Sequence, residues 1–299
     1  MVRPNSNLRS LKTTKPEIFK GNFMNAVEVE KALKGCQLVV HVAANTLQQP
    51  SDYKNYKTVN VEGTQFLLEK CSEAGIEKFI YVGSANAFGP GSKENPGDET
   101  SPFTKLQRQS GYMRSKFEAQ KIVLDFHKKH QFPVTVVNPT FMLGKYDAKP
   151  SSGQMLLMAH GKKWMPAPAG GKNFVHVEDV ATGILNALEQ GQNGACYLLG
   201  NENLSYHEFF TKMRHICGYP KQVIPISKPA ISIVGKAGSF YEKITGRPAK
   251  LNSINAQLLS LDNYYLPLKA VTELQLPQTP IKKAIADTLA WFDENGYLN

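Results

Sequence analysis

Three short stretches of this chain, residues 38–42, 79–82 and 132–137, are apolar with almost no alternation. A strand with one wet face alternates apolar and polar side chains, whereas a strand covered on both faces reads as a nearly continuous apolar run. The first run is therefore expected to be covered on both sides, and the other two to be buried strands. Segments with helical apolar spacing separate them: 26–34, ending near Gly35; 60–73, stopped by Gly75; and 117–124.

The run Phe79, Ile80, Tyr81, Val82 ends at Gly83 and Ser84, which places Ser84 where a buried strand gives way to a loop. A Gly/Pro-rich polar stretch, 89–111, follows; a loop of that length inside a compact domain is more often functional than idle, and it is expected to fold over the substrate side. It leads to Tyr112, Met113, Arg114, Ser115, Lys116. Residues four apart share a helix face, so the Tyr112 phenol and the Lys116 ammonium would meet over one surface. The same spacing recurs at Tyr53/Lys57 and Tyr265/Lys269. The latter pair has Pro267 between its partners, which disfavours a regular helix, and the former has no strand-ending serine a short loop upstream. Only Tyr112/Lys116 has that serine and also runs into a good helix-forming segment. A hydroxyl, a phenol and an ammonium gathered at the end of a strand can polarise a carbonyl and hand it a proton.

Several blocks in order resemble the extended short-chain dehydrogenase/reductases, and within them the branch of dihydroflavonol reductases and 3β-hydroxysteroid dehydrogenases. The blocks are Gly35, Cys36 and residues 38–44; Asn60, Val61, Glu62, Gly63, Thr64; residues 81–85; the Tyr112 to Lys116 tetrad; Asn138, Pro139, Thr140, Phe141; and residues 174–181. The resemblance implies a doubly wound parallel-sheet α/β domain of the Rossmann type, formed by residues 1–138 and 172–200. A smaller, mostly helical substrate lobe would comprise 139–171 and 201–299. It also implies an NAD(P)-dependent oxidoreductase that reduces a carbonyl of a small or medium organic substrate, with NADP favoured and NAD possible. Sugar-nucleotide epimerisation or dehydration, and a truncated relative that only binds a partner, stay open beside it.

By the same resemblance Ser84, Tyr112 and Lys116 are the catalytic residues, with Lys116 lowering the phenol's pKa from about 10 and binding the nicotinamide ribose together with Tyr112. Arg3 would accommodate a 2′-phosphate, Asn22 the adenine, Ala43 and Ala44 the close approach of the cofactor, and Pro139, Thr140 and Phe141 the carboxamide. Asn60 reads equally as a helix-start residue and as a support near the site. Asp179 is expected to cap the helix that follows it, His176 to be structural, and residues 235–247 to contribute to a pocket. The family's Gly-rich phosphate-binding turn has no counterpart in this sequence. A strand, turn and helix of roughly 30 residues is accordingly expected to be lacking, the sheet to be left with unpaired backbone, and NADP(H) binding by this chain to be weak.

Composition narrows the class only a little. With 299 residues, 41% of them hydrophobic, the chain can bury a large core. No run approaches the ~20 apolar residues needed to span a bilayer, and residues 1–6 have no apolar signal core, so a cytoplasmic protein with no membrane partner is expected. Cys36, Cys71, Cys196 and Cys217 lack metal-like spacing and read as reduced thiols with no metal site. The net charge of +10 arises from dispersed lysines rather than a recognisable nucleic-acid motif, so no nucleic-acid partner is expected. A homodimer is possible.

Overall fold

The computed structural model describes residues 1–11, 14–46, 53–218, 222–247, 249 and 251–298. Helix α1 (Ala26–Leu33) starts at Asn25, whose side chain accepts the Glu28 N–H at 3.2 Å, and it is followed by Gly35 at a left-handed φ of 79°. Next come β1 (Leu38–His41), α2 (Tyr53–Tyr56), a π turn over Lys57–Glu62, α3 (Gly63–Glu73) and β2 (Lys78–Val82). After the long loop follow α4 (Gly111–His130), β3 (Val134–Pro139), β4 (Phe141–Leu143), α5 (Gln154–Ala159), β5 (Trp164–Pro168), β6 (Gly171–His176), α6 (Val177–Glu189) and β7 (Cys196–Leu199). The remainder is β8 (Glu202–Ser205), α7 (Tyr206–Cys217), β9 (Gln222–Ile226), α8 (Lys228–Thr245), α9 (Ser253–Leu259), β10 (Asp262–Asn263), α10 (Leu268–Glu273) and α11 (Ile281–Glu294).

The large sheet has the order β1-β2-β3-β7, and all its pairings are parallel. Alternate residues of β2 enter opposite layers. Phe79 and Tyr81 pack with Val29 of α1, Leu67 and Leu68 of α3 and Val123 of α4. Ile80 and Val82 pack with Val180 and Ala187 of α6 and Ala270 of α10. The sheet is thus doubly wound.

β1 departs from the expectation of cover on both faces. Val39 and His41 face the α1/α3 layer, but Leu38, Val40 and Val42 are 50%, 37% and 61% exposed. The physical reason is position: α6 packs over β2 and β3, while β1 is the end strand of the sheet. Residues 16–20 form no strand of the sheet and make only a parallel bridge, Val2 to Lys20, outside it. The Val2 N–H donates to the Phe19 carbonyl and the Gly21 N–H to the Val2 carbonyl, each at 2.8 Å. The ladder stops there because Pro4 has no N–H and the chain reverses as Ser6 N–H donates to the Arg3 carbonyl at 3.0 Å.

The second lobe is mostly helical around a small sheet of order β10-β6-β4, with β8 antiparallel on β6, and a β5/β9 ribbon. Its core stacks Phe174 on Phe209 at 4.4 Å, beside Leu156, Ile281 and Ile285. β6 lies in this sheet, although α6, which follows it directly, returns to the large one. The cap of α6 is His176 rather than Asp179: its Nδ1 accepts the Glu178 N–H at 3.1 Å while Nε2 meets Asp287 at 3.0 Å. Asp179 is buried and accepts from the Thr279 N–H and hydroxyl at 2.8 and 2.7 Å, so it ties α6 to the segment before α11.

Candidate active site

β2 delivers Ser84 to the C-terminal edge of the large sheet. Gly83 precedes it because a Cβ there would lie 2.3 Å from Asn138 Oδ1, and that oxygen accepts the Ser84 N–H at 3.0 Å. Ser84 then starts a 3₁₀ turn over Ala85–Ala87, its hydroxyl accepting the Asn86 N–H at 3.3 Å. α4 starts opposite, capped by Ser110, whose hydroxyl accepts the Met113 N–H at 3.4 Å. Tyr112 therefore lies in the first turn and Lys116 one turn on, as the spacing requires.

The Ser84 side chain lies close enough to the Tyr112 phenol to act on its pKa. Burial pushes the phenol's pKa up, the Ser84 hydrogen bond pulls it partly back, and Tyr56, whose ring packs edge-on at 6.3 Å, pushes it up again. Lys116 is buried, and its Nζ donates to the Val82 carbonyl at 2.9 Å and lies 5.0 Å from the centre of the Tyr81 ring. Burial pulls this ammonium from 10.5 down to about 8. The expected lowering of the phenol by Lys116 is not made here: the ammonium is committed to a backbone carbonyl, and burial dominates the phenol. At neutral pH the free protein thus holds a protonated Tyr112 beside a charged Lys116.

A relay of hydrogen bonds joins this helix to the end of β1. Asn60 Nδ2 donates to Ser115 Oγ at 2.9 Å and to the Asn45 carbonyl at 3.1 Å, and its Oδ1 accepts the Asn45 N–H at 2.6 Å. The Thr64 hydroxyl donates to the Asn60 carbonyl at 2.7 Å and so accepts from His41 Nε2 at 3.0 Å, which sets the tautomer of His41. Burial first, then Lys116, drives His41 down to about 3, so it stays neutral. Asn60 is therefore a buried bridge rather than a helix-start residue. Ser115 had no signal of its own in the sequence, because its partner lies 55 residues away.

Of the expected cofactor residues, Ala43 is exposed and Ala44 half-buried just past the end of β1. Asn22 is exposed, its Oδ1 accepting the Met24 N–H at 3.1 Å. The next residue, Phe23, packs 5.7 Å from the His41 ring and brings that turn beside the same strand end. Arg3 is exposed and adjoins it through the Val2 to Lys20 bridge. Pro139 to Phe141 lie where the chain crosses from the large sheet to the small one. There the Thr140 N–H and hydroxyl both donate to the Leu199 carbonyl, at 3.0 and 3.3 Å, and Phe141 packs edge-on against Phe174. The Thr140 N–H, expected to help hold a carboxamide, is thus engaged within the protein. In contrast, the buried Tyr81 hydroxyl and Asn138 amide nitrogen have no hydrogen-bond partner among the described residues. Buried polar atoms left unpaired cost about 1–3 kcal/mol each. With the donors that Lys116 has beyond the Val82 contact, they fit the hydroxyls and amide of a nicotinamide riboside. The two chance tetrads have structural partners instead: Tyr53 stacks under Arg114, and the Tyr265 hydroxyl is buried on the Phe88 carbonyl.

The long loop is not a free lid. Gly91 and Gly97 N–H groups donate to the Tyr264 carbonyl at 3.1 and 3.0 Å, and Glu99 accepts the Leu198 N–H at 2.7 Å.

This architecture has relatives. A putative dihydroflavonol 4-reductase of Synechocystis sp. is 31% identical over 287 residues, 92% of this chain and 81% of that protein. A dTDP-D-glucose 4,6-dehydratase of Mus musculus is 26% identical over 98% of this chain and 77% of its own length. The crystal structure of gox2253 superposes with a TM-score of 0.86 at 31% identity, over 100% of this chain and 91% of that one. Residues 2–200 match the sequence pattern of a single family, and the chain belongs to it: the NAD dependent epimerase/dehydratase family.

Proposed function

We propose that this protein is an NADP-dependent carbonyl reductase in which Tyr112 is the proton donor. The observation that carries the reading is the convergence of Ser84, Tyr112 and a buried, hydrogen-bonded Lys116 at the carboxyl edge of the sheet. NADPH, when bound, supplies the hydride. Tyr112, whose pKa is raised by burial, keeps its proton at neutral pH and is suited to donating it as negative charge develops on a carbonyl oxygen. Ser84 donates a hydrogen bond to that same oxygen. Lys116 remains largely charged at pH 7 and, with Tyr112, holds the ribose. Ala43, Ala44, Asn22, Pro139, Thr140 and Phe141 would line the cofactor's path.

Tyr112→Phe should lower ketone- or aldehyde-dependent NADPH oxidation by about 10²–10⁴ with an unchanged far-UV spectrum. Near-normal turnover at saturating cofactor would remove Tyr112 from the mechanism. The cofactor choice rests on Arg3, and Arg3→Ala should erase a preference for NADPH over NADH; equal affinity of the unmutated protein for the two would defeat that part alone. The dehydratase relative favours a second reading, epimerisation or dehydration of a sugar nucleotide. In that case product would form without net consumption of reduced cofactor, so the ratio of NADPH oxidised to product formed separates the two.

A further inference from the structure

Helix α8 is built inside out. The face it turns to its neighbour α9 and the strand of chain before α9 is made of small and polar residues. A Cβ on Gly238 would lie 1.9 Å from the Leu251 carbonyl oxygen, and one on Gly235 2.5 Å from Ala256 Cβ. Ser239 accepts the Ser253 N–H at 2.9 Å, and Glu242 accepts the Ala249 N–H at 3.0 Å. The opposite face carries Ile233, Val234, Ala237, Phe240, Tyr241 and Ile244. Of these Ile233 is 68%, Phe240 66% and Ile244 67% exposed. A surface helix of a globular domain turns such a stripe inward. Residues expected to contribute to a pocket instead face outward, because the glycines draw the helix onto α9 by its other side.

The charge around the stripe is of one sign. Lys236 and Lys243 flank it and Arg247 follows it, all exposed. Glu242, the sole acid between Gly218 and Leu261 in the sequence, is turned toward the α9 side. A second copy of the same face would set cations against cations, whereas an anionic bilayer complements both the apolar stripe and its basic flank. We propose that α8 docks this protein onto an anionic phospholipid bilayer, lying in the plane of the surface with Ile233, Phe240 and Ile244 in the interfacial layer. No described helix is long and apolar enough to cross a membrane. The proposal departs from the expectation of no membrane partner, since run length bears on spanning and not on docking.

Co-sedimentation of the full chain tests this with vesicles of phosphatidylcholine alone and with vesicles that also carry phosphatidylglycerol. The protein should sediment with the anionic vesicles and far less with the neutral ones. Phe240→Ser with Ile244→Ser should weaken that partition on the order of 100-fold, since two large apolar side chains leave the interface. Lys236→Glu with Lys243→Glu should weaken it about tenfold or more at low salt. Both pairs are solvent-exposed, so thermal unfolding should be unchanged and a loss of binding is not a loss of fold. Three results would overturn the proposal: wild type left in the supernatant with anionic vesicles, a serine variant that binds as well as wild type, or a wild-type dimer that the serine pair converts to monomer with no vesicle binding by either.

Discussion

β1 and β2 are neighbours in register, Leu38 beside Lys78 through His41 beside Tyr81, and their sequences are almost equally apolar. Their surroundings differ. Phe79, Ile80 and Tyr81 are buried on both sides, whereas the Leu38/Val40 face of β1 is open. A continuous apolar run reports that a strand can be covered twice; the number of helices laid over that point of the sheet decides whether it is. The same contrast runs through the site. The end of β2 meets the start of α4, where the Ser84 N–H and the Lys116 ammonium are held in hydrogen bonds, while the end of β1 presents Ala43, with Arg3 and Asn22 nearby, at an exposed rim.

The largest effect should come from emptying the covered strand. Phe79→Ala removes a ring packed among α1, α3 and α4 side chains and should destabilise by about 3–5 kcal/mol, read as a shift of the urea midpoint at constant slope. A loss below about 1 kcal/mol would mean that β2 is no better packed than β1 and would dissolve the contrast.

Next in size is the charge buried at the end of β2. Lys116 takes its proton at 10.5 when unfolded and at about 8 when folded. Between those values the unfolded chain holds more protons, so this group makes stability rise with pH from 8 toward 10.5 and imposes its full cost below 8, at most about 3–4 kcal/mol. Lys172 is drawn to about 8 by burial as well and titrates in the same window. The informative quantity is therefore the difference between wild type and Lys116→Met: the variant's advantage should shrink as pH climbs from 8 to 10.5. Parallel stability curves would show that the ammonium is solvated and the site wetter than its packing implies.

What could be read from the sequence was local. The strand ending at Ser84 and the helix carrying Tyr112 and Lys116 each depend on a few adjacent residues, and both lie where run length and four-residue spacing place them. The doubly wound sheet and the helical lobe likewise follow from blocks in order. What could not be read depends on partners distant in sequence. The acceptor for Lys116 is a backbone carbonyl 34 residues away, and Asn60 works through a serine 55 residues on. Asp179 looked like a cap because carboxylates commonly are, yet its partner Thr279 lies 100 residues ahead, and the imidazole of His176 took the cap. The open face of β1 belongs to the same class, since cover is a property of the neighbours and not of the run.

The smallest expected effect is the sharpest test of that last point. Val40→Thr replaces a methyl by a hydroxyl of similar size on a side chain 37% exposed. In a covered strand such a change buries an unpaired hydroxyl and costs about 1–3 kcal/mol. On an open face the hydroxyl is hydrated and threonine suits a strand as well as valine does, so the change should stay within about 0.5 kcal/mol. Measured by urea unfolding at micromolar and at tenfold lower protein concentration, the two outcomes also say what covers the strand. A small change at both concentrations leaves the face open in solution; a cost above about 1 kcal/mol that fades on dilution would mean that another copy of the chain closes over it, and the comparison between β1 and β2 would then hold only for the isolated chain.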